Sequence, residues 1–377
     1  MSHDLPIESF AAALDAAYPE LATVRAAATE PVYVVGGAVR DLLLGRGRAD
    51  LDLVVEGDAT ALAERLGAEA VAHERFGTAK VRLEGHEIDI AAARTETYAT
   101  PGALPEVAPA MLAEDLCRRD FTVNAMAISL QGESALIDPH GGRADLEAGL
   151  LRVLHPGSFV DDPTRALRAA RYASRLGFGL EAETEALLRA TDLAMVSDDR
   201  RRAELLRLAA EDEAVRGFEL LVEWGLVRLR ESEIDLGIDG LKLASTVSRL
   251  LASSPWSEVA PRAPALIAAA LGPAGAETML AAADPQRPSD AVDLARGHDP
   301  VTLVLARALG GGWLDRYVGE WHAVSLEIDG GDLIAAGIPQ GPALGRGLDA
   351  ALRGKLDGEI SGREQELATA LEAARRG

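Results

Sequence analysis

The feature that most constrains this chain is Val34-Val35-Gly36-Gly37-Ala38-Val39-Arg40-Asp41, followed nine residues later by Asp50-Leu51-Asp52. An apolar run stops at two glycines, a short helical pattern follows, and the chain returns through two carboxylates spaced i, i+2. Alternate residues of a strand share a face, so Asp50 and Asp52 are expected to project together and to share a divalent cation. Glycine lets backbone N–H groups approach a phosphate closely, at the start of a helix whose dipole favours anions. A phosphate cradle beside a two-carboxylate metal site is the minimum apparatus for moving a nucleotidyl group.

At 377 residues, 48% of them hydrophobic, the chain is long enough to bury a large core and is expected to split into roughly two to four domains. No apolar run is long enough to span a bilayer, and Met1-Ser2-His3-Asp4 does not open a signal peptide. Cys117 is the only cysteine, which excludes an intrachain disulfide and a cysteine zinc cluster. These features point to the cytoplasm and away from a membrane.

The net charge of −22 argues against a nucleic-acid partner, but its distribution weakens the objection. Arg165, Arg168, Arg171 and Arg175 form one cluster, and Arg200, Arg201, Arg202 and Arg207 another; Lys80, Lys242 and Lys355 are the only lysines. Such clusters are either solvated helix faces or local RNA-binding surfaces on an acidic body.

From about residue 31 to 130, β-rich runs alternate with helical ones. Pro31–Val35 reads as a strand, Ala38–Leu44 as a helix, Leu51–Val55 as a strand and Thr60–Leu66 as a helix. Thr78–Leu83 and Glu87–Ala92 read as a strand pair joined at Glu84-Gly85-His86. The result is a small α/β domain with a mixed sheet. Thr95–Glu114, with Pro101, Gly102, Pro105 and Pro109, reads as a long loop. After about residue 145 the strand signal disappears and helical periodicity runs to the end, with breaks near Gly177–Gly179, Ser253–Pro255, Gly272–Gly275 and Gly310–Gly312.

Two further constellations carry chemistry. In Arg118-Arg119-Asp120-Phe121-Thr122-Val123-Asn124-Ala125, two arginines beside an acid suit triphosphate or ribose contacts with a buttressing carboxylate; the plainer reading is a charged helix start. In Asp161-Asp162-Pro163-Thr164-Arg165, Pro163 suits a first helical turn and either aspartate suits a cap. Asp162 and Arg165, three apart, occupy neighbouring positions on one helix face. A carboxylate accepts from an amine, and arginine donates to a ring nitrogen or carbonyl. Cytosine and adenine each offer an exocyclic amine beside an unprotonated ring nitrogen, whereas guanine and uracil offer a carbonyl beside a protonated one. Such a pair therefore accepts C and A, and each mismatched buried group costs about 1–3 kcal/mol.

At these three segments, in this order and spacing over roughly residues 31–180, the chain resembles the class II tRNA nucleotidyltransferase and poly(A) polymerase family. The resemblance continues more weakly from Glu204-Leu205-Leu206-Arg207 to Gly225-Leu226, and again at Gly330–Ile338 and Leu356-Asp357-Gly358; residues 230–320 are divergent. It implies an α/β nucleotidyltransferase head of the DNA polymerase β-like type, with a mixed sheet (1–145), followed by all-α neck (146–225), body (226–318) and tail (319–377) domains. Asp50 and Asp52 would hold Mg²⁺ and act catalytically, with Asp89 as the third metal carboxylate and Asp120 as the alternative. Gly36, Gly37 and Arg40 would contact phosphates. Arg118 or Arg119 would contact sugar or triphosphate, beside Asp120 and Asn124. Asp162 and Arg165 would read the base, supported by Arg168 and Arg171. The first acid of the base-reading segment departs from the family's usual glutamate, since Asp161 stands there.

The implied reaction is template-independent addition of CMP and AMP from CTP and ATP to the 3′ end of tRNA, with the tail gripping the acceptor and T-stem region by shape and backbone contacts. Members that add only A, add only CC, or make poly(A) are the alternatives. The words Arg94-Thr95-Glu96-Thr97-Tyr98 and Pro101-Gly102-Ala103-Leu104-Pro105 resemble A-adding members. A catalytically silent RNA-binding protein, or a transferase acting on a small molecule or protein, are the readings from other classes; intact Asp50, Asp52 and Arg165 argue against the first. A metal-dependent phosphohydrolase, which accompanies some relatives, needs paired His and His-Asp ligands. The histidines are scattered, and the His298-Asp299 pair has no nearby helical His partner. The sequence does not set an oligomeric state.

Overall fold

The computed structural model describes residues 7–67, 71–73, 77–132, 134–226 and 238–376. The chain divides into two compact units, Met1–Leu208 with Glu223–Leu226, and Ala209–Val222 with Val227–Gly377.

The first unit opens with two helices to which the sequence pattern assigns nothing, α1 (Ile7–Ala17) and α2 (Leu21–Ala27). Their apolar positions Phe10, Leu14, Leu21 and Val24 are buried. Between them, the Tyr18 hydroxyl donates to the Ala49 carbonyl (3.2 Å) and accepts from the Ala49 N–H (3.1 Å). That bracket fixes the backbone immediately before Asp50.

Next come β1 (Val32–Val35), α3 (Gly37–Leu43), β2 (Leu51–Val55), α4 (Ala59–Arg65), β3 (Val71–His73), β4 (Thr78–Leu83) and β5 (His86–Ala92). β1 is a run of β-branched and aromatic residues, suited to a strand with neighbours on both edges. β4 and β5 pair Leu83 with His86. Glu84 and Gly85 both take positive φ (51° and 84°) between them, the geometry of a two-residue hairpin turn.

The segment expected as a loop, Thr95–Glu114, folds instead as a two-stranded hairpin, β6 (Arg94–Thr97) with β7 (Glu106–Pro109), leading into α5 (Leu112–Cys117). Its prolines mask the strands, and a two-stranded ribbon tolerates Pro109 because every strand in it is an edge. A 3₁₀ turn (Thr122–Asn124), β8 (Ala127–Ser129), β9 (Leu136–Ile137) and α6 (Gly142–Ala148) follow.

Seven strands form one sheet in the order β3-β4-β5-β2-β1-β8-β9. Only β2 and β5 are parallel neighbours, so the sheet is mixed. Two registers place the site. Val35 of β1 lies opposite Asp52 of β2, and Asp52 lies beside Asp89 of β5.

Strand structure does not end at residue 145. β10 (Leu150–Leu151) pairs in parallel with β11 (Gly179–Leu180), on either side of α7 (Ser158–Asp161) and α8 (Thr164–Leu176); α9 (Ala182–Arg189) and α10 (Asp198–Ala210) follow. α8 is strongly amphipathic, with Ala166, Leu167, Ala169, Ala170 and Ala173 buried, and Gly177 ends it at φ +73°. The described part of the second unit is helical, with turns at Gly272–Ala274 and Gly310–Gly312 between helices. Its C-terminal core gathers Leu333, Ile338, Ala351, Ala370 and Ala374. Among the described residues, no single helix is long and apolar enough to cross a membrane.

α6 packs against the turn that carries Asn124. A Cβ on Gly142 would lie 2.2 Å from the Thr122 carbonyl oxygen and 3.0 Å from Met126 Cγ. Gly142→Ala is therefore expected to destabilise the protein by about 1–3 kcal/mol, the range for overpacking. Urea unfolding measures this, and an unchanged midpoint would show that α6 is free to shift.

Candidate active site

Gly36 follows Val35, so the β1–β2 register sets it beside Asp52. Its φ of +68° belongs to glycine, and a Cβ there would meet Arg119 Nη1 at 3.2 Å and Asp52 Oδ2 at 3.7 Å. A glycine backbone, a carboxylate and a guanidinium thus converge at one sheet end. The Asp52 carboxyl is pushed up to about 6, first by burial and then by the Asp89 and Asp50 carboxylates, with Arg119 opposing. Asp89 is half-exposed and lies 3.4 Å from Lys80 Nζ. Among the described residues no three His, Cys, Asp or Glu side chains close into one ligand group. The structure brings Asp52 and Asp89 into register, leaving Asp50 at the entrance to β2. The donors are all hard oxygens, and Asp52 is short of positive charge; both suit a small divalent cation.

Gly36, Asp52 and Arg119 open onto a cavity of about 530 Å³ lined wholly by the first unit. Six arginines (118, 119, 165, 168, 200 and 207) and five acids (Asp52, Glu96, Asp120, Asp162 and Glu204) line it. The arginines are therefore largely neutralised and oriented by the protein itself.

Asp115, which the sequence reading omits, anchors two of them. It has no exposed side-chain surface; its Oδ1 accepts from Arg118 Nη2 at 2.6 Å and its Oδ2 from Arg119 Nη2 at 2.9 Å. Burial works to raise this carboxyl, but the Arg119 and Arg118 guanidiniums win and hold it below the usual range. The i, i+3 and i, i+4 spacing in α5 is the signal that marks it. Arg118 Nη1 also donates to Glu96 Oε1 at 2.9 Å, which ties it to β6. The Tyr98 hydroxyl donates to Glu96 Oε2 at 2.9 Å and is pushed up to about 12 by burial and by Glu96.

Asp120 performs the same service for Arg168. Its Oδ2 takes Arg168 Nη2 at 2.6 Å, and its Oδ1 accepts from the Asn124 amide at 3.0 Å and from the Phe121 N–H. Burial alone would raise the carboxyl; Arg168 and Asn124 hold it at about 2. As the alternative metal carboxylate, Asp120 is displaced by these partners.

Asp162 and Arg165 both line the cavity. Arg165 is buried, donating to Ser158 Oγ at 2.6 Å and to the Arg118 carbonyl at 2.7 Å. Arg40 is placed elsewhere. It is buried, held by Asp41 (2.8 Å) and Asn124 Oδ1 (2.6 Å), and it does not line the cavity. Arg171 is also off the cavity wall, with its guanidinium 4.5 Å from the Tyr172 ring. Asp299 of the His298-Asp299 pair caps the helix Pro300–Ala308.

Residues 32–152 match the family model described as "Poly A polymerase head domain". The chain is 35% identical over 365 residues to a CC-adding tRNA nucleotidyltransferase of Deinococcus radiodurans, covering 93% of this chain and 91% of that one. It is 46% identical over 203 residues to an A-adding tRNA nucleotidyltransferase of Halalkalibacterium halodurans, covering 50% of this chain and 48% of that one; it thus spans about half the length of that relative. The Thermotoga maritima CCA-adding enzyme, solved with tRNA, superposes with a TM-score of 0.68 at 30% identity over 94% of each chain. The chain belongs to the class II tRNA nucleotidyltransferase and poly(A) polymerase family.

The Asp120 carboxyl, at about 2, lies below the ordinary 3.8. Its contribution is complete above about pH 4 and is lost as pH falls through 2. Asp120→Asn is expected to lower the unfolding free energy by about 2 kcal/mol at pH 7, with the gap to wild type closing between pH 4 and pH 2. Urea unfolding at several pH values tests this, and a gap that ignores pH would remove the charge pairing as its cause.

Proposed function

We propose that this protein adds CMP and AMP from CTP and ATP to the 3′ end of tRNA without a template. The observation that carries the reading is the Asp162–Arg165 pair on the wall of a cavity that also holds Gly36, Gly37 and Asp52. An acceptor and a planar donor on one wall select bases by the amine-plus-ring-nitrogen pattern of C and A. Arg118 and Arg119, fixed by Asp115, face the same space and suit the triphosphate and sugar. Asp50, Asp52 and Asp89 would hold divalent ions, Mg²⁺ by the hardness of the donors, which lower the pKa of an attacking hydroxyl and neutralise a triphosphate. Gly36 lets backbone stand directly against Asp52, where any side chain would intrude.

A-only addition is the second reading. It is favoured by the likeness of this chain to an A-adding enzyme over 203 residues.

Three tRNA transcripts, ending before CCA, after C and after CC, separate the two. Each is incubated with Mg²⁺ and one labelled NTP, then with CTP and ATP together. Growth of the shortest to a full CCA end is the expected result. Incorporation of A alone, and only after CC, establishes the second reading, and no incorporation on any transcript removes both.

Asp52→Asn is expected to abolish incorporation yet not to destabilise the metal-free protein. A folded carboxyl near 6, above the ordinary 3.8, makes ionised Asp52 a cost that is fully present above about pH 6 and relieved as pH falls toward 4. The variant should therefore equal or exceed wild type by on the order of 1 kcal/mol at pH 8 and lose that margin near pH 4. Melting in EDTA across this range measures it; a variant less stable at pH 8 would contradict the strained-carboxylate account.

A further inference from the structure

We propose that Arg200 is a positioning residue that sets base selectivity by holding Asp162 in one orientation; this rests on the reading of Asp162 as the base acceptor. Arg200 stands on α10, in an arginine run that the sequence offers only as a cluster. Its Nη2 donates to Asp162 Oδ1 at 2.9 Å, and its Nη1 to the Gly102 carbonyl at 2.8 Å. The pair is mostly out of water, with side-chain exposures of 26% for Arg200 and 18% for Asp162. Oδ1 also accepts from the Thr164 N–H (3.0 Å) and the Thr164 hydroxyl (2.6 Å). Three donors thus converge on one oxygen, while Oδ2 takes no hydrogen bond among the described residues. Oδ2 is the oxygen left for a base.

Rigidity is what makes such an oxygen selective. A fixed acceptor gains a bond from the exocyclic amine of cytosine or adenine. Against the carbonyl of uracil or guanine it leaves two acceptors face to face. A carboxylate free to rotate would turn aside and relieve that repulsion, so a loosened Asp162 tolerates the wrong bases. The other arm of Arg200 holds the β6–β7 connection at Gly102. There φ is +72°, and a Cβ would lie 2.4 Å from the Met195 carbonyl oxygen. One planar fork therefore joins the seating of that connection to the orientation of Asp162, and an ammonium cannot reproduce both bonds.

The test uses the full chain as wild type, Arg200→Lys, Arg200→Met and Gly102→Ala, each assayed with all four NTPs singly on the three tRNA transcripts. The ratio of kcat/KM for the preferred nucleotide over UTP and GTP is expected to fall by about tenfold in Arg200→Met, the scale of one misplaced hydrogen bond. Arg200→Lys should fall between it and wild type. Gly102→Ala, which leaves Arg200 and Asp162 intact, should narrow the ratio in the same direction. If Arg200→Met does not fold, the last two variants carry the test. Equal loss on all four nucleotides, with the ratio unchanged, would reduce Arg200 to a structural support and overturn the proposal. A wild type that incorporates nothing is a different failure, since it removes the nucleotidyl-transfer reading itself.

Discussion

A carboxylate cannot stand buried without a counter-charge, and the cavity is organised by two that do not. Asp115 and Asp120 each bind arginine through close, charge-assisted hydrogen bonds, and each lies in the span between the β6–β7 hairpin and β8. Once these acids are buried, the guanidiniums have little freedom left. Removing either partner would leave a charge in a poorly solvated place, which is far more costly than losing the pair together. Donors are consequently aimed before any ligand arrives, which is the condition under which electrostatic stabilisation is strongest.

This arrangement also gives an acidic protein an arginine-rich cavity wall. All but three of the 38 basic residues are arginine. Arginine presents a flat fork that two groups can share: Arg118 bridges Asp115 and Glu96, and Arg168 joins Asp120 while donating to the Tyr172 hydroxyl. Excess negative charge elsewhere repels anions at long range but is screened over about 8–10 Å at physiological salt. What governs binding is the local field, and the cavity wall carries six arginines against five acids.

The part of the fold that was legible in the sequence is the part whose signals are local. Val32–Ala92 alternates runs of fixed period with turns at Gly36 and Gly85, and the strands and helices fall where that pattern puts them, except β3 (Val71–His73), which is too short to show a period. The hairpin β6–β7 was illegible because Pro101, Pro105 and Pro109 mimic a loop, and its pairing of Arg94 with Pro109 belongs to no periodic motif. Gly36, Asp52, Asp162 and Arg165, named from residue chemistry and order, all line one cavity. Arg40 could not be placed, because its partner Asn124 lies 84 residues away and only the fold brings the two together. Arg200 is the same case, 38 residues from Asp162.

The aspartates of the first unit divide by what their neighbours do to them. Asp115 and Asp120 are buried and driven down by arginines, so they are ionised, satisfied and structural. Asp52 is partly buried and driven up, first by the loss of water and then by Asp89, its register partner on β5, and by Asp50 two residues before it. One residue type, one sheet end and one cavity therefore yield opposite shifts, and environment rather than identity assigns the roles. The acids held low fix the guanidiniums that line the cavity or flank it. The acid held high is the one whose environment favours a further positive charge, and it sits directly against the glycine that leaves room beside it.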